Sequence, residues 1–158
     1  MNQQTLNPVR HAVTVPLPIE RAFSVFTDGF DTWWPRSHKI GGADLAEAVL
    51  ERRTGGRWYE RDVDGSECDW GEVLAFEPPR RLLISWHINS SWQYEPDPAQ
   101  ASEVEVLFTE LEGQTRVELE HRYIERHGAS AGEMRQAFES QGGWPGLLDS
   151  YAKAAIAS

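Results

Sequence analysis

The sequence predicts an α+β fold in which a seven-stranded antiparallel sheet packs against a long C-terminal helix. Three observations support this. Apolar residues recur at every second position over much of residues 45–122, as they do in half-buried strands. Glycine and proline pairs interrupt these runs at short intervals, as in hairpins. Helical spacing is found before residue 30 and after residue 130, so helices flank the strands and do not alternate with them.

Composition and charge limit the classes of protein to which the chain can belong. Its 158 residues, 40% hydrophobic and 25% charged, suit one globular domain over residues 1–158. The formal charge is −10, whereas nucleic-acid binding needs clustered Lys and Arg, so we expect no nucleic-acid partner. Cys68 is the single cysteine, which excludes an intrachain disulfide and a cysteine-rich zinc site.

The sequence also bears on location. Residues 1–15 lack a basic segment followed by an apolar run, and such a segment is what marks a secretion signal. No stretch approaches the ~20 apolar residues that a membrane-spanning helix needs. We therefore expect a cytoplasmic protein without membrane insertion.

A strand and a short helix come first. Residues 9–15 alternate apolar with polar side chains, and Pro16 ends this half-buried strand. Ile19, Phe23 and Phe26 then recur at helical spacing. This spacing predicts an amphipathic helix that buries one face against the sheet.

Six further strands follow this helix. Turn residues are placed at Gly55-Gly56, Asp64-Gly65, Pro78-Pro79 and Glu112-Gly113. The predicted strands between them cover residues 45–53, 57–62, 67–77, 80–88, 103–111 and 114–122. A polar, proline-containing loop at residues 89–101 is the longest connection.

A helical region closes the chain. Ser130 and Glu133 have the spacing of a capping box, which predicts that a helix begins there. Gly142-Gly143 interrupts the region, and Pro145 suits a first turn that restarts it. Beyond this break one helical face is apolar and must lie on the core; it carries Trp144, Leu147, Leu148, Tyr151 and Ala155.

Alternation within the strands assigns their inward faces. The inward set comprises Trp58, Glu60, Leu82, Ile84, Trp86, Val104, Val106, Phe108, Val117, Leu119 and His121. Residues 70–76 allow two choices. We favour the set Trp70, Glu72, Leu74 and Phe76 as inward over the smaller set Gly71, Val73 and Ala75.

The many inward aromatic side chains predict a cavity of at least ~300 Å³ between the sheet and the helix that carries Trp144 and Leu148. The alternative is that these rings fill the core. The predicted ligand-lining residues are Trp33, Trp34, Trp58, Leu74, Leu82, Ile84, Trp86, Val104, Val106, Phe108, Leu119, His121, Trp144 and Leu148.

Trp33 and Trp34 are adjacent and precede Pro35. Neighbouring side chains diverge in a helix and in a strand, so the two rings need different surroundings. We expect Trp33 to pack in the core, because it continues the apolar stripe of Phe26 and Phe30, and Trp34 to lie at the cavity entrance.

Seven stretches occur in the order found in one known family. They are "PIERAFSVFTD", "WWP", "GGRWYER", "DG", "WGEVLAFEPPRRLLISW", "TRVELEH" and "GGWPGLLDSYAKA". In them the chain resembles the C-terminal domain of the activator of the ninety-kilodalton heat-shock-protein ATPase and its homologues, within the START-like, or SRPBCC, superfamily. The resemblance implies the helix-grip fold, with the sheet wrapped around the C-terminal helix and short helices between strands one and two.

The resemblance implies that the chain binds an apolar or aromatic small molecule in an internal cavity. Two alternatives stay open. One is a chaperone accessory protein, which implies a chaperone partner and a role in the stress response. The other is an enzyme of the cyclase or hydrolase type that acts in the same cavity, because the superfamily includes polyketide cyclases.

The chemistry within the predicted interior is sparse. The paired glycines lack the Lys and Ser of a phosphate loop, and the five histidines lack metal-ligand spacing, so we expect no cofactor and no metal. No catalytic residue is firmly assigned. His121 with Glu60, and with Glu72 if it faces inward, are the candidates for general acid and base work. Cys68 has no identifiable partner for nucleophilic chemistry.

Overall fold

A computed structural model describes residues 6–157 of the chain. Its strands are β1 (Val9–Val15), β2 (Leu45–Leu50), β3 (Arg57–Asp62), β4 (Glu67–Glu77), β5 (Arg81–Trp86), β6 (Ser102–Leu111) and β7 (Gln114–Arg122). Its α-helices are α1 (Ile19–Thr27), α2 (Phe30–Trp33), α3 (Ala131–Glu139) and α4 (Trp144–Ala157), and short 3-10 segments cover Pro98–Gln100 and Ile124–Ser130. No helix in this part of the chain is both long enough and apolar enough to span a bilayer.

The seven strands form one antiparallel sheet in the order β1-β7-β6-β5-β4-β3-β2. The sheet curls, and α4 lies against β1, α1 and α2. Hydrogen bonds fasten α4 to the helices that precede the second strand: the Tyr151 hydroxyl donates to the Ala22 carbonyl at 2.8 Å, and the Ser150 hydroxyl to the Trp33 carbonyl at 2.6 Å. The helix-grip fold predicted from the family resemblance is confirmed.

Hairpin chemistry explains why the strands end where the sequence predicts. Gly55, Gly65 and Gly113 adopt φ values of 85°, 88° and 73° at the predicted turns. These values suit glycine because it has no Cβ to clash in the left-handed region. The local turn signals therefore place most strand ends correctly, and β1, β3, β4 and β7 have the predicted bounds.

The capping box predicted at Ser130 is wrong. Ser130 makes no side-chain capping hydrogen bond, and its backbone has φ −90° and ψ 5°. A capping residue is normally extended, whereas here a 3-10 segment runs directly into α3 and leaves no extended position for the cap. The predicted break is confirmed, because α3 ends at Glu139 and α4 begins at Trp144 with Pro145 in its first turn.

The inward face favoured for β4 is also wrong for Glu72 and Leu74. Both are exposed, whereas Val73 between them is fully buried. The β4 register shifts against β3 near Trp70 and against β5 between Val73 and Ala75. Each shift marks a β-bulge, and an extra residue in one strand reverses which side chains face the core. Glu72 and Leu74 therefore lie on the outer face, away from any interior ligand.

The space between the sheet and α4 is filled by side chains. Trp58, Trp70 and Tyr151 are each 0% exposed, and ring contacts link the tryptophans of β3, β4, β5 and α4 at centroid distances of 5.3 to 5.9 Å. The predicted cavity along Trp144 and Leu148 is therefore occupied by the core itself. A cavity of the predicted size lies instead at one end of the sheet, as the next section describes.

Candidate ligand-binding cavity

A cavity of about 300 Å³ opens where the α2–β2 connection meets β4, β5 and the loop after β5. Four tryptophan rings and two isoleucines form its walls, and three polar residues lie on one rim. Its lining residues are Trp34, Ser37, His38, Lys39, Ile40, Trp70, Trp86, Ile88 and Trp92. The volume is at the lower end of the range for small-molecule sites.

Hydrogen bonds hold three of the cavity tryptophans in place. The indole N–H of Trp34 donates to the His38 carbonyl at 2.9 Å, and that of Trp86 to the Ile88 carbonyl at 3.0 Å. The indole N–H of Trp70 donates to Glu60 Oε1 at 2.9 Å. Each buried N–H is satisfied by the protein, so a ligand meets rings that are already oriented.

Trp33 and Trp34 occupy different surroundings, as their adjacency predicts. Trp33 packs on Phe26, Phe30 and Tyr151 in the core, and its N–H lies 3.3 Å from the Phe26 carbonyl. Trp34 stacks on Phe30 with the ring planes 26° apart and also borders the cavity. Trp34 thus borders the cavity, but only 5% of it is exposed, so it is held inside the protein and not at an open entrance.

Glu60 anchors the polar rim of the cavity. It is 0% exposed, and its carboxylate accepts hydrogen bonds from the backbone N–H of Ile40 at 2.6 Å and of Gly41 at 3.1 Å. Burial acts to raise the pKa of Glu60, but its interaction with Asp62 and the N–H donors that face it outweigh burial and lower the pKa. An ionised carboxylate with these partners positions the loop and the Trp70 ring, and is poorly suited to carry a catalytic proton.

His38 anchors the same rim from the opposite side. Its Nε2 lies 2.9 Å from the Gly142 carbonyl, in the break between α3 and α4. A carbonyl only accepts, so Nε2 carries a proton and donates to it, and Nδ1 lies 3.2 Å from the Ser37 hydroxyl. The α2–β2 connection is thus tied to β3 by Glu60 and to the helix break by His38.

His121 belongs to a separate buried network. Its Nδ1 accepts from the Trp144 indole N–H at 3.0 Å, so its Nε2 donates to Ser102 Oγ at 2.7 Å, and that hydroxyl donates to His127 Nε2 at 2.8 Å. Burial, with a further contribution from His127, lowers the pKa of His121 well below 6.5. The imidazole is neutral, and both of its nitrogens already have partners.

The three candidate acid-base residues are not brought together. Glu60 binds the α2–β2 connection, His121 binds Trp144 and Ser102, and Glu72 lies on the outer face. Of the predicted ligand-lining residues, Trp34 and Trp86 border the cavity. The others, apart from Leu74, are at most 3% exposed and form the core: Trp33, Trp58, Leu82, Ile84, Val104, Val106, Phe108, Leu119, His121, Trp144 and Leu148.

Sequence reasoning missed most of the rim. Ser37, His38, Lys39 and Ile40 lie in a connection without periodicity, so no pattern indicates which way they face. Trp92 lies in the long polar loop, and a large aromatic residue among polar neighbours is the one signal that could have identified it.

Two solved structures match nearly the whole chain at substantial sequence identity. The anthrahydroquino-gamma-pyrone synthase Txn09, solved in complex with SUM, is 38% identical; the match covers 98% of this chain and 99% of that one, with a TM-score of 0.66. The self-sacrificing resistance protein CalC from Micromonospora echinospora is 32% identical; the match covers 96% and 95%, with a TM-score of 0.70.

More distant structures share the fold alone. One is protein NE0264 from Nitrosomonas europaea, which is 13% identical over 96% of this chain and 95% of that one, with a TM-score of 0.64. No curated protein matches the chain. The model of the family described as Activator of Hsp90 ATPase homolog 1-like protein matches residues 16–155. The chain therefore belongs to the Activator of Hsp90 ATPase homolog 1-like protein family.

Proposed function

We propose that the chain binds a planar, fused-ring aromatic small molecule of the polyketide type in the cavity bordered by Trp34, Trp70, Trp86 and Trp92. The observation that carries the proposal is the cavity itself, about 300 Å³ between indole rings. Aromatic rings gain most from offset or edge-to-face contact with other rings, so this lining favours a flat ligand over a flexible acyl chain.

The relatives support the same class of ligand. Txn09 is named as a synthase of an anthrahydroquino-gamma-pyrone, which is a fused aromatic ring system, and it matches this chain end to end at 38% identity. The tryptophan-lined cavity of the present chain suits such a ring system. The fold is compatible with ligand binding in general. We infer that the ligand is aromatic from the tryptophan rings that line the cavity.

A second, smaller cavity of about 160 Å³ adjoins the first. Trp86, Ile88 and Trp92 border both cavities, and Met134 and Phe138 of α3 close the far side of the smaller one. Trp92 is 66% exposed, so little of its surface is held by the protein. A ligand with a fused-ring core and a further apolar substituent fits two adjacent cavities that share one wall.

The polar rim provides an anchor for ligand oxygens. Lys39 lines the cavity, and its ammonium donates to the Gly41 carbonyl at 2.6 Å, which leaves it further donors. Phenolic and quinone oxygens accept from an ammonium, and a phenolate gains additional charge-assisted strength. We therefore expect the oxygenated edge of the ligand to lie toward Lys39.

Binding of a dihydroxyanthraquinone, measured by isothermal titration calorimetry, tests the proposal. Wild type should bind one molecule per chain. Trp92→Ala and Trp34→Phe should each weaken binding about tenfold, a loss of about 1.4 kcal/mol. Leu111→Ala is the matched control, because Leu111 is 42% exposed and lies at the β6–β7 turn, and it should bind as wild type does.

Two results would contradict the proposal. One is the absence of saturable binding by wild type. The other is equal affinity in wild type, Trp92→Ala and Trp34→Phe, which would place the bound molecule outside the cavity. Circular dichroism of each variant distinguishes lost binding from lost folding.

A second candidate function is catalysis of a ring closure on such a ligand. The end-to-end match at 38% identity with a synthase favours it. We propose that Lys39 would stabilise oxygen-centred negative charge in that reaction. Turnover of the substrate of that synthase by this chain, lowered in Lys39→Gln and kept in Leu111→Ala, would support catalysis. Tight binding without turnover would leave binding as the function.

A further inference from the structure

The β3–β4 hairpin brings three metal-ligating side chains to one place. Glu60 and Asp62 are two residues apart on β3, so they share a face of the sheet, and Cys68 on β4 pairs directly opposite Glu60. One ligand atom from each lies within 4.8 Å of the others. Sequence reasoning left Cys68 without a partner because its neighbours are supplied by the adjacent strand.

Asp62 is the unusual member of this cluster. It is 1% exposed, and when it is ionised neither of its carboxylate oxygens has a hydrogen-bond donor among residues 6–157. Burial raises the pKa of Asp62 to about 6, together with the hydrogen bond that protonated Asp62 makes with Glu60 and the negative charge of Glu60. A buried acceptor without a donor is costly to the folded state. The two facing carboxylates repel each other when both are ionised, and a cation bound between them would relieve that repulsion.

We propose that Glu60, Asp62 and Cys68 form a binding site for a thiophilic divalent cation of the Zn²⁺ class. One sulfur and two carboxylate oxygens suit Zn²⁺, which accepts Cys and Asp or Glu together, whereas Mg²⁺ and Ca²⁺ take oxygen ligands. Neighbouring ligands around tetrahedral zinc are roughly 3.3 to 3.8 Å apart, by geometry from the usual bond lengths. The three ligand atoms lie within 4.8 Å of one another, so they must move closer together for such an ion to bind.

The surroundings leave ligand capacity and access. Glu60 Oε1 accepts from Ile40 and Trp70, but Oε2 accepts from Gly41 alone, so Oε2 retains a lone pair. Cys68 is partly exposed and lines an open groove, which gives a cation a route from solvent and water a fourth coordination position.

Lys39 contributes positive charge beside Asp62. This charge opposes a divalent cation at the site and lowers its affinity.

Titration of purified, chelator-treated protein with Co²⁺ tests the site directly. Binding of one ion per chain should produce a thiolate-to-cobalt charge-transfer band, because Cys68 is the only thiol. Cys68→Ser should abolish this band. Zn²⁺ should displace Co²⁺. Asp62→Asn removes a charged ligand and should weaken Zn²⁺ binding by about tenfold or more, since even the loss of a group that only supports a ligand has an effect of that size.

Asp64→Asn is the matched control. Asp64 is an exposed carboxylate on the same hairpin, and its oxygen already accepts from the Ser66 hydroxyl and backbone N–H. This variant should bind both ions as wild type does. The proposal is wrong if the charge-transfer band is absent from wild type, or if Asp62→Asn and wild type bind Zn²⁺ equally. The new side-chain amide in Asp62→Asn can donate to Glu60, so this variant should fold, and thermal unfolding checks this.

Discussion

At the scale of single residues, the adjacent side chains of Trp33 and Trp34 have different surroundings and therefore different roles. Trp33 is 2% exposed and Trp34 is 5% exposed, so both rings are withdrawn from water. Trp33 is surrounded by core side chains, whereas Trp34 has core on one side and the cavity on the other. Stability therefore depends on both rings, whereas of these two rings we expect only Trp34 to contribute to ligand binding.

We predict that Trp33→Ala and Trp34→Ala each lower the free energy of unfolding by about 3 to 5 kcal/mol, because each removes a large buried ring. Urea denaturation followed by circular dichroism measures this change. Trp92→Ala should cost less than about 0.5 kcal/mol, since Trp92 is largely exposed. A Trp34→Ala variant as stable as Trp92→Ala would show that Trp34 is not held in the core.

Glu60 and Asp62 show how far residue-level prediction extends. Alternation along β3 from Trp58 correctly places Glu60 inward, and two further residues reach Asp62. Alternation does not reveal which hydrogen-bond donors or charged groups a buried carboxylate contacts. The donors to Glu60 come from residues 40 and 41, and its pairing partner Cys68 from β4, so only the assembled fold shows the cluster.

At the scale of elements, β4 departs most from a regular pattern. Its two register shifts place Val73 inward and the neighbouring Leu74 outward. The uninterrupted alternation of residues 70–76 gives no local sign of a bulge, because a bulge is defined by pairing with the adjacent strands. Alternation alone therefore predicts the wrong face for Glu72 and Leu74.

We predict that Val73→Ala lowers the free energy of unfolding by roughly 1 to 3 kcal/mol, while Leu74→Thr changes it by less than about 0.5 kcal/mol. Val73 is 0% exposed and Leu74 is 36% exposed. The two neighbours form their own control, and urea denaturation compares them. A larger loss of stability in Leu74→Thr than in Val73→Ala would mean that β4 follows the uninterrupted alternation.

Most other elements are predictable because their signals are local. Turn glycines and prolines locate the hairpins, the Gly142-Gly143 pair locates the break before α4, and the spacing of Ile19, Phe23 and Phe26 locates α1. The cavity is different in kind. Its position depends on how the aperiodic residues 37–40 and the loop carrying Trp92 fold across the end of the sheet. That arrangement rests on contacts between segments distant in sequence, such as that of His38 with Gly142.

At the scale of the whole molecule, two buried networks respond to acid in opposite directions. Burial lowers the pKa of His127 to about 4 and that of His121 well below 6.5. The unfolded chain takes up these protons and the folded chain does not, so stability present above pH 6.5 is lost as the pH falls toward 4. Burial raises the pKa of Asp62 to about 6, so its protonation favours the folded state below that pH.

We predict that this opposition is visible in the pH dependence of unfolding. Between pH 6.5 and about 4, Asp62→Asn should lose stability more steeply than wild type, because the stabilising protonation is gone. His127→Gln should lose it less steeply, because one imidazole no longer has to be kept neutral. Urea denaturation at several pH values, with a chelator present, gives the three slopes. Identical slopes would contradict the assignment.

The packed tryptophan cluster also determines how the molecule emits light. Trp34, Trp58, Trp70 and Trp86 lie in a chain of neighbours with centroids 5.3 to 6.1 Å apart. Excitation energy passes between indoles at such distances before it is emitted, so the rings act as one antenna. A quencher beside Trp34 should therefore darken Trp58 as well, although Trp58 lies in the core. Fluorescence quenching would then show that the cavity is occupied, but the extent of quenching would not show how many rings the ligand contacts.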